Sequence, residues 1–249
     1  MTPWKPKKNN MKNTSYIGIS LIILIFGIIF IPRIIDRVSN REIVESDRLN
    51  VQDKDPGKLV YIEQYEGKKK VPDFEFINQD GDTITNEDYL GKVYIVEFFF
   101  TTCPSICPVM NRNLVNIQDE FSDSKDFAIA SFTIDPEYDT PEVLKQYAQN
   151  YGVTNENWHF LTGDRQKIYE LANTGFGIYA NEDETVPGGF AHSGLFALID
   201  KEGYVRSRVD SHGNPIIYYR GYIDPEKPVS DVEETSQIDI LIEDINNLL

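Results

Sequence analysis

The alternation of apolar and polar runs along the chain predicts strands and helices in turn. Runs rich in β-branched and aromatic residues have the composition of strands. The predicted strands are 71–77, 93–100, 127–135, 159–162, 194–200 and 204–209. Capping signals and helical periodicity predict helices at 111–121, 140–151, 164–173 and 232–248. Apolar strands that alternate with helices imply an α/β fold, with a central mixed sheet flanked by helices.

The most hydrophobic stretch of the chain lies near its N-terminus. Residues 17–31 are uncharged and almost wholly apolar, and their neighbours extend the stretch to 16–35. This is about 20 residues, the length of a membrane-spanning helix. A cleaved signal peptide is the alternative, but no small-residue cleavage site follows the apolar run. The sequence therefore predicts one uncleaved transmembrane helix ahead of the α/β domain.

The charges on either side of this stretch predict the orientation of the chain in the membrane. Lys5, Lys7, Lys8 and Lys12 precede it and place the N-terminus in the cytoplasm. The expected organisation is a cytoplasmic N-terminus at 1–15, an anchor at 16–35, a tether with an edge hairpin at 36–70, and the main domain at 71–249. We expect a single-pass protein of the inner (cytoplasmic) membrane whose main domain is periplasmic or otherwise extracytoplasmic.

The formal net charge of the chain is −16. Such an acidic surface repels nucleic acid, which excludes that class of partner. It is compatible with attraction of cations or of a basic protein face, and equally with solubility alone.

The chain has only two cysteines, Cys103 and Cys107. They fall where the strand 93–100 gives way to a helix, whose N-terminus favours the thiolate. A thiol pair at this junction makes the domain resemble the thioredoxin fold. Thioredoxin-type enzymes usually carry Cys-x-x-Cys, whereas a separation of four returns to the same face of a helix. The pair is compatible with a redox-active disulfide, a site for Cu(I) or zinc, or a small structural disulfide.

Three histidines are available as a further ligand. His159 lies inside a predicted strand and is interpreted as a core or strand-end residue, whereas His212 lies in a polar turn and is interpreted as solvated. His192 lies in the glycine-rich segment 187–194, just ahead of a strand. The corresponding loop of thioredoxin-like folds faces the cysteines, so His192 is a candidate copper ligand.

Two acidic residues and one methionine are also expected near the thiols. Asp135 and Asp139 follow the strand 127–135, whose C-terminal end is expected near the cysteines. They could orient a ligand or a partner, or serve only as turn and helix-capping residues. Met110 is interpreted as a core residue, and no methionine-rich copper motif occurs.

Five segments together form a distinctive set. They are Gly91-Lys92, Phe98-Phe-Phe-Thr-Thr-Cys-Pro-Ser-Ile-Cys-Pro108, Ile134-Asp-Pro-Glu-Tyr-Asp-Thr-Pro141, Leu161-Thr-Gly163 and Ala191-His-Ser193. With this set the chain resembles the Sco/SenC family of copper-binding assembly factors for cytochrome c oxidase, over roughly residues 71–248. The N-terminal anchor also fits that family.

The resemblance implies that copper is bound by Cys103, Cys107 and His192, as Cu(I), Cu(II) or both. It implies delivery by ligand exchange to the binuclear copper site of an oxidase subunit, and loss of copper when the thiols form a disulfide. A periplasmic thiol reductant or a copper donor is a further expected partner. One departure is Ala191, where some family members carry an acidic residue, and this leaves the surroundings of the histidine open.

Other functions compete with copper delivery. A thiol–disulfide oxidoreductase, acting for example on the thiols of the oxidase copper site, would need the cysteines but not His192. A redox or copper sensor would signal by changing partners. A peroxidase of the peroxiredoxin type is disfavoured, because Phe100-Thr-Thr-Cys103 matches its Thr-x-x-Cys site poorly. The sequence favours a metallochaperone but leaves enzymatic reductase activity open.

Overall fold

The computed structural model of the protein describes residues 11–39, 56–65, 67–225 and 236–249. The chain divides into two compact units, residues 1–50 and 51–249. Most of the segment predicted as cytoplasmic, and residues 40–55 of the predicted tether, lie outside the described residues.

The first unit contains helix α1, Met11–Ser39, with Pro32 inside it. The side chains described in this helix are those of residues 18–32, and all are exposed except at Gly27. No helix in the described part of the chain meets the length and apolarity that a bilayer crossing requires.

The second unit contains the remaining elements. The strands are β1 Leu59–Tyr61, β2 Glu63–Gln64, β3 Gly67–Lys68, β4 Glu75–Ile77, β5 Thr83–Thr85, β6 Val93–Phe99, β7 Phe127–Thr133, β8 Trp158–Leu161, β9 Ala180–Glu182, β10 Phe190–His192, β11 Leu195–Ile199, β12 Val205–Arg208 and β13 Tyr219–Arg220. The helices are α2 Cys107–Glu120, α3 Pro141–Tyr151, α4 Arg165–Glu170 and α5 Ile238–Leu248. A 3₁₀ turn spans Asn86–Tyr89, and a π-helical turn, Leu171–Phe176, follows α4 directly.

A seven-stranded sheet forms the centre of this unit, in the order β1-β12-β11-β6-β7-β8, with β13 also paired to β11. Strands β6, β7 and β8 are parallel, whereas β11 is antiparallel to β6. The predicted mixed central sheet is therefore confirmed. Every residue of β6 and β7 is buried, as expected for strands covered on both faces.

Helical segments cover both faces of this sheet. Successive side chains of a strand point to opposite faces, so the neighbours Phe98 and Phe99 report on one face each. On one face, Phe98 contacts Phe176 of the π-helical turn, with ring centroids 5.9 Å apart. On the other face, Phe99 contacts Tyr147 of α3 at 5.5 Å. Each fully buried phenylalanine of this kind stabilises the fold by about 1.5–3 kcal/mol.

The predicted helix after the cysteines begins four residues too late. The prediction was 111–121, whereas α2 spans Cys107–Glu120. Pro108 lies in the first turn of α2. A backbone N–H has no intrahelical acceptor there, so proline costs the helix no hydrogen bond. Cys107 therefore opens the helix itself, while Cys103 lies in the loop before it.

Other predictions were confirmed or corrected in detail. Helix α3 begins as predicted, with the Thr140 hydroxyl accepting from the Val143 amide at 3.5 Å. The strand predicted at 71–77 is formed only by Glu75–Ile77. The glycine-rich segment 187–194 is not entirely a loop, because Phe190–His192 pairs with Ala180–Glu182 as a hairpin. Strands of three residues are too short to leave a clear alternation in the sequence.

Candidate metal centre

The loop that carries Cys103 leaves the sheet at the C-terminal end of β6. The Cys103 amide donates to the carbonyl of Phe100 at 3.3 Å, which turns the chain immediately after the strand. Cys107, at the start of α2, is fully buried, and Cys103 is 8% exposed. Both are free cysteines. The strand–helix junction predicted from the sequence thus places one thiol inside the core and the other at its edge.

Asp139 fixes the loop that carries Cys103 through hydrogen bonds. Its carboxylate accepts hydrogen bonds from the Thr101 amide at 3.1 Å and from the hydroxyls of Thr101 and Thr133. The carboxyl group is fully buried, and burial raises its pKa while these hydrogen bonds oppose the rise. Asp139 therefore links the end of β7 to the residue two positions before Cys103, which is a supporting role.

Asp135 has a different environment from Asp139. Its amide donates to the Thr133 hydroxyl at 3.0 Å, and its carbonyl accepts from the amides of Tyr138 and Asp139. Partial burial raises the pKa of its carboxyl group. These contacts are those of a turn residue.

His192 reaches the thiols from the hairpin β9–β10. Its ring meets the ring of Phe100 edge to face at 5.9 Å. The loop of this hairpin also contacts the cysteine loop. Gly188 has φ +92°, and a Cβ atom there would lie 2.9 Å from the Phe100 ring and 3.0 Å from Pro104 Cδ. Only glycine combines this left-handed backbone with so close an approach.

The structure brings the three predicted ligands together. Cys107 Sγ lies 3.2 Å from His192 Nε2, and the ligand atoms of Cys103, Cys107 and His192 all lie within 4.8 Å of one another. Cys103 Sγ also lies 3.6 Å from the Ser105 hydroxyl. The cluster is graded in depth, from the fully buried Cys107 through Cys103 to the half-buried His192.

The two thiols differ in their readiness to ionise. A hydrogen bond from the Cys107 thiol lowers the pKa of Cys103 against the opposing effect of burial, and His192 lowers it further. Burial raises the pKa of Cys107, and the neighbouring Cys103 raises it again. Cys103 is therefore the more acidic thiol of the pair, and Cys107 loses its proton when it binds a metal ion or forms a disulfide.

A buried carboxyl group near Cys107 was missed by the sequence reasoning. Glu97, in the middle of β6, is fully buried, and its Oε1 accepts from the Ser131 hydroxyl at 2.7 Å. Its Oε2 has no hydrogen-bond partner among the described residues. Burial raises its pKa to about 8, so the carboxyl group is protonated at neutral pH. The only signal in the sequence is one acidic residue inside an otherwise apolar strand.

Asn111 and Tyr147 form a second polar group next to Cys107. The Asn111 amide donates to the Cys107 carbonyl at 3.0 Å and to the Tyr147 hydroxyl at 3.1 Å. The group fixes the first turn of α2, because a buried amide that lost these partners would be costly.

The other two histidines lie elsewhere, in agreement with their interpretation from sequence. His159 is half-buried in β8, where its ring meets Tyr89 edge to face at 5.8 Å and burial lowers its pKa. The His212 side chain is 82% exposed. Met110 is fully buried in the core.

Position 191 can now be interpreted from the strand geometry. Ala191 pairs with Asn181 and His192 with Ala180. Neighbouring residues of a strand point to opposite faces, so the side chain at position 191 points away from the face that carries the imidazole. An acidic residue at this position would therefore lie on the outer side of the hairpin.

Comparison with known proteins places these features in a family. A family model described as SCO1/SenC matches residues 62–221. The SCO1 protein homolog of Bacillus subtilis is 36% identical over 142 residues, which cover 55% of this chain and 71% of that protein. A Stutzerimonas stutzeri protein named for copper binding is 26% identical over 147 residues, covering 57% of this chain and 70% of its own length.

A solved structure agrees with this assignment. BsSco, described as a member of the Sco family of cytochrome c oxidase assembly proteins with a disulfide switch, is 30% identical and superimposes with a TM-score of 0.57. The likeness covers 72% of this chain and 92% of that chain. The family match over most of the second unit and the shared fold establish that the chain belongs to the SCO1/SenC family.

Proposed function

We propose that this chain is a copper chaperone that binds one copper ion through Cys103, Cys107 and His192. It delivers the ion to the binuclear copper site of a cytochrome c oxidase subunit. The observation that carries the proposal is the convergence of two sulfur atoms and an imidazole nitrogen within 4.8 Å. The names of the related proteins, one for copper binding and one for oxidase assembly, support the metal and the recipient.

The donor set suits copper. Thiolate sulfur prefers Cu(I), and imidazole serves both Cu(I) and Cu(II). Ligand atoms about 2.0–2.3 Å from one ion lie roughly 3.5–4 Å apart, so atoms already within 4.8 Å need only small side-chain movements to share an ion. Cys103 is the first ligand to bind, because the Cys107 thiol and His192 lower its pKa.

Transfer of the ion by ligand exchange is favoured by the position of the site. Cys103 and His192 lie at the protein edge, whereas Cys107 is fully buried. An incoming ligand of the acceptor can replace the two outer ligands first, while Cys107 retains the ion until the end. A site with three protein ligands leaves a coordination position for that approach.

The proposal includes an anchor at residues 16–35 that holds the copper-binding domain, residues 71–249, outside the cytoplasm. The uncharged run 17–31 and the lysines before it support this orientation. An oxidising compartment would allow the two thiols to cycle with a disulfide. Protease added to spheroplasts or protoplasts should digest the domain. Protection of the domain from the protease would contradict an extracytoplasmic location.

Thiol–disulfide exchange is a second candidate function at the same residues. It is supported by the unequal acidity of the two free thiols, because a lowered pKa prepares Cys103 as the attacking thiolate. In the balanced step, Cys103 attacks a substrate disulfide and Cys107 resolves the mixed disulfide. The chain then holds a Cys103–Cys107 disulfide, and the substrate gains two electrons and two protons.

Replacement of His192 distinguishes the two functions. The full-length chain with His192→Ala should lose copper from its isolated form and lose the imidazole contribution to its Cu(II) spectrum, while reduction of a model disulfide persists. His212→Ala is the matched control, because this histidine is exposed and does not belong to the cluster of Cys103, Cys107 and His192. Unchanged copper content and spectrum in His192→Ala would contradict the three-ligand site.

A further inference from the structure

The hairpin that carries His192 does not belong to the central sheet. Strands β9 and β10 form a two-stranded sheet of their own, in which His192 is paired with Ala180. An isolated two-stranded hairpin is marginally stable at best. The position of the imidazole therefore depends on contacts that hold this hairpin from outside.

The side chain of Asn173 makes the most complete of these contacts. Its Nδ2 donates to the Ala180 carbonyl at 2.8 Å, and its Oδ1 accepts from the Ala180 amide at 3.1 Å. Its second Nδ2 hydrogen is directed to the Tyr169 carbonyl at 3.0 Å. The amide thus satisfies both backbone groups of the residue directly opposite His192.

The pairing pattern explains why one side chain can do this. In an antiparallel pair, the backbone N–H and C=O of a residue point either to the partner strand or away from it. Those of Ala180 are directed to Asn173, on the side of β9 away from β10. The Asn173 amide therefore occupies the place that a third strand would have at this edge of the hairpin.

Asn173 is exposed, but the turn that carries it is fixed to the core. It lies in the π-helical turn Leu171–Phe176, a wide turn of a kind often found at functional sites. Phe176 is 1% exposed and contacts Phe98 of the central strand β6. A Cβ atom on Gly175 would lie 2.9 Å from Pro72 Cγ, so the turn packs closely on the chain before β4. The contacts form a continuous path from the core through Asn173 and Ala180 to His192.

We propose that Asn173 is a positioning residue for the metal centre, which sets the approach of His192 to the two thiols through the backbone of Ala180. The inference rests on the proposed three-ligand copper site, because it concerns the placement of one of those ligands. Partners that orient a metal-ligating histidine commonly change metal affinity by about 10- to 100-fold when removed.

The test compares Asn173→Ala, His192→Ala and Asn246→Ala with the unaltered full-length chain. Asn246 is the matched control, because its Nδ2 donates to the Ile242 carbonyl at 3.0 Å, the same four-residue spacing as Asn173 to Tyr169, on an exposed helix face. Cu(I) affinity is measured by competition with a chelator, and the Cu(II) form by absorption and electron paramagnetic resonance. Asn173→Ala should lower the Cu(I) affinity about 10- to 100-fold and shift the Cu(II) spectrum towards that of His192→Ala. Asn246→Ala should match the unaltered chain.

The possible outcomes are distinct. A lower unfolding temperature in Asn173→Ala with an unchanged Cu(II) spectrum and affinity would reduce Asn173 to a structural residue and overturn the inference. If His192→Ala also left copper binding unchanged, the three-ligand site itself would be wrong. If His192→Ala alone altered binding, the site would stand and only the role of Asn173 would fall.

A second variant and a second measurement apply if Asn173→Ala does not fold. Asn173→Asp keeps an acceptor for the Ala180 amide but loses both donors, so it should show a smaller change of the same spectrum. Hydrogen exchange of the unaltered chain should show a protected Ala180 amide. Free exchange at Ala180 would overturn the inference without any variant.

Discussion

The two sides of the metal centre are built in different ways. The cysteine side consists of a fully buried central strand, β6, and the first turn of α2, with Cys107 inside the core. The histidine side is a separate two-stranded hairpin with a half-buried imidazole. The cysteines are placed by the packing of the whole sheet, whereas His192 is placed by the hydrogen bonds of its hairpin, by its ring contact with Phe100 and by the close approach of Gly188.

This difference would suit the proposed delivery of copper to an acceptor. Regions with few buried apolar contacts open at lower free energy than the core does. In the proposed transfer, the buried Cys107 retains the ion while the ligands at the edge of the site are replaced. Substitutions on the two sides should therefore differ in their effects on stability and on copper binding.

The largest expected effect is on copper binding after Cys107→Ser. Of the three proposed ligands only Cys107 is fully buried, so we expect no solvent or partner group to replace its sulfur. Loss of a ligand should exceed the 10- to 100-fold effect of losing a supporting contact, so we expect a decrease in Cu(I) affinity of more than about 100-fold. Chelator competition measures it. If Cys107→Ser lowered the Cu(I) affinity less than His192→Ala does, the buried thiol would not be the stronger ligand.

The next effect tests the support beneath the cysteine loop. Asp139→Ala removes the acceptor of three hydrogen bonds and leaves the Thr101 amide and two hydroxyls without their partner. We expect the free energy of unfolding to fall by about 3 kcal/mol. Glu182→Ala removes an exposed carboxylate that is paired with the surface residue Arg165, and it should change this free energy by less than about 0.5 kcal/mol. Denaturant unfolding measures the free energy of unfolding of both variants. Equal losses would contradict the difference in stability between the cysteine side and the hairpin.

A pH-dependent effect should also separate the two sides. Glu97 has its pKa raised by burial from 4.5 to about 8, so the folded chain holds a proton that the unfolded chain loses between these values. The contribution of Glu97 to stability is therefore fully present below pH 4.5 and is lost as pH rises towards 8. The free energy of unfolding of Glu97→Gln relative to the unaltered chain should rise over this window, on the order of 3 kcal/mol.

The control for this pH effect is Asp183→Asn, on the exposed hairpin loop. Hydrogen bonds from Thr185 lower the pKa of Asp183, so its substitution has no effect of that sign above pH 4.5. Denaturant unfolding at several pH values measures all three proteins. Parallel stability profiles for Glu97→Gln and the unaltered chain would show that the Glu97 carboxyl group does not titrate as stated.

The smallest expected effect uses two neighbouring glycines. Both have left-handed backbone, φ +92° at Gly188 and +80° at Gly189, but only a Cβ on Gly188 would meet Phe100 and Pro104. Gly189→Ala should destabilise the chain by about 1–2 kcal/mol through its backbone alone. Gly188→Ala should add about 1 kcal/mol and should shift the Cu(II) spectrum, because the hairpin must move away from the cysteine loop. Identical spectra for the two variants would contradict the close contact.

Much of the fold could be predicted because its signals are local. The buried runs that form β6 and β7 are largely apolar, and Thr140 and Pro141 mark the start of α3. The predicted start of this helix at residue 111 was wrong, because α2 begins at Cys107 and Pro108 lies in its first turn, where proline is common. The two three-residue strands of the hairpin left no periodicity to detect.

The sequence by itself determined the thiol pair at a strand–helix junction, the candidate histidine and the family, because these depend on residue type and spacing. Only the tertiary structure decided three further features. Burial keeps Glu97 protonated, Asp139 accepts hydrogen bonds from the cysteine loop, and the Asn173 side chain is hydrogen-bonded to Ala180, opposite His192. Each of these depends on groups far apart in the chain that fold into contact. Their energies come from burial and hydrogen-bond geometry, which exist only once the sheet and its helices have assembled.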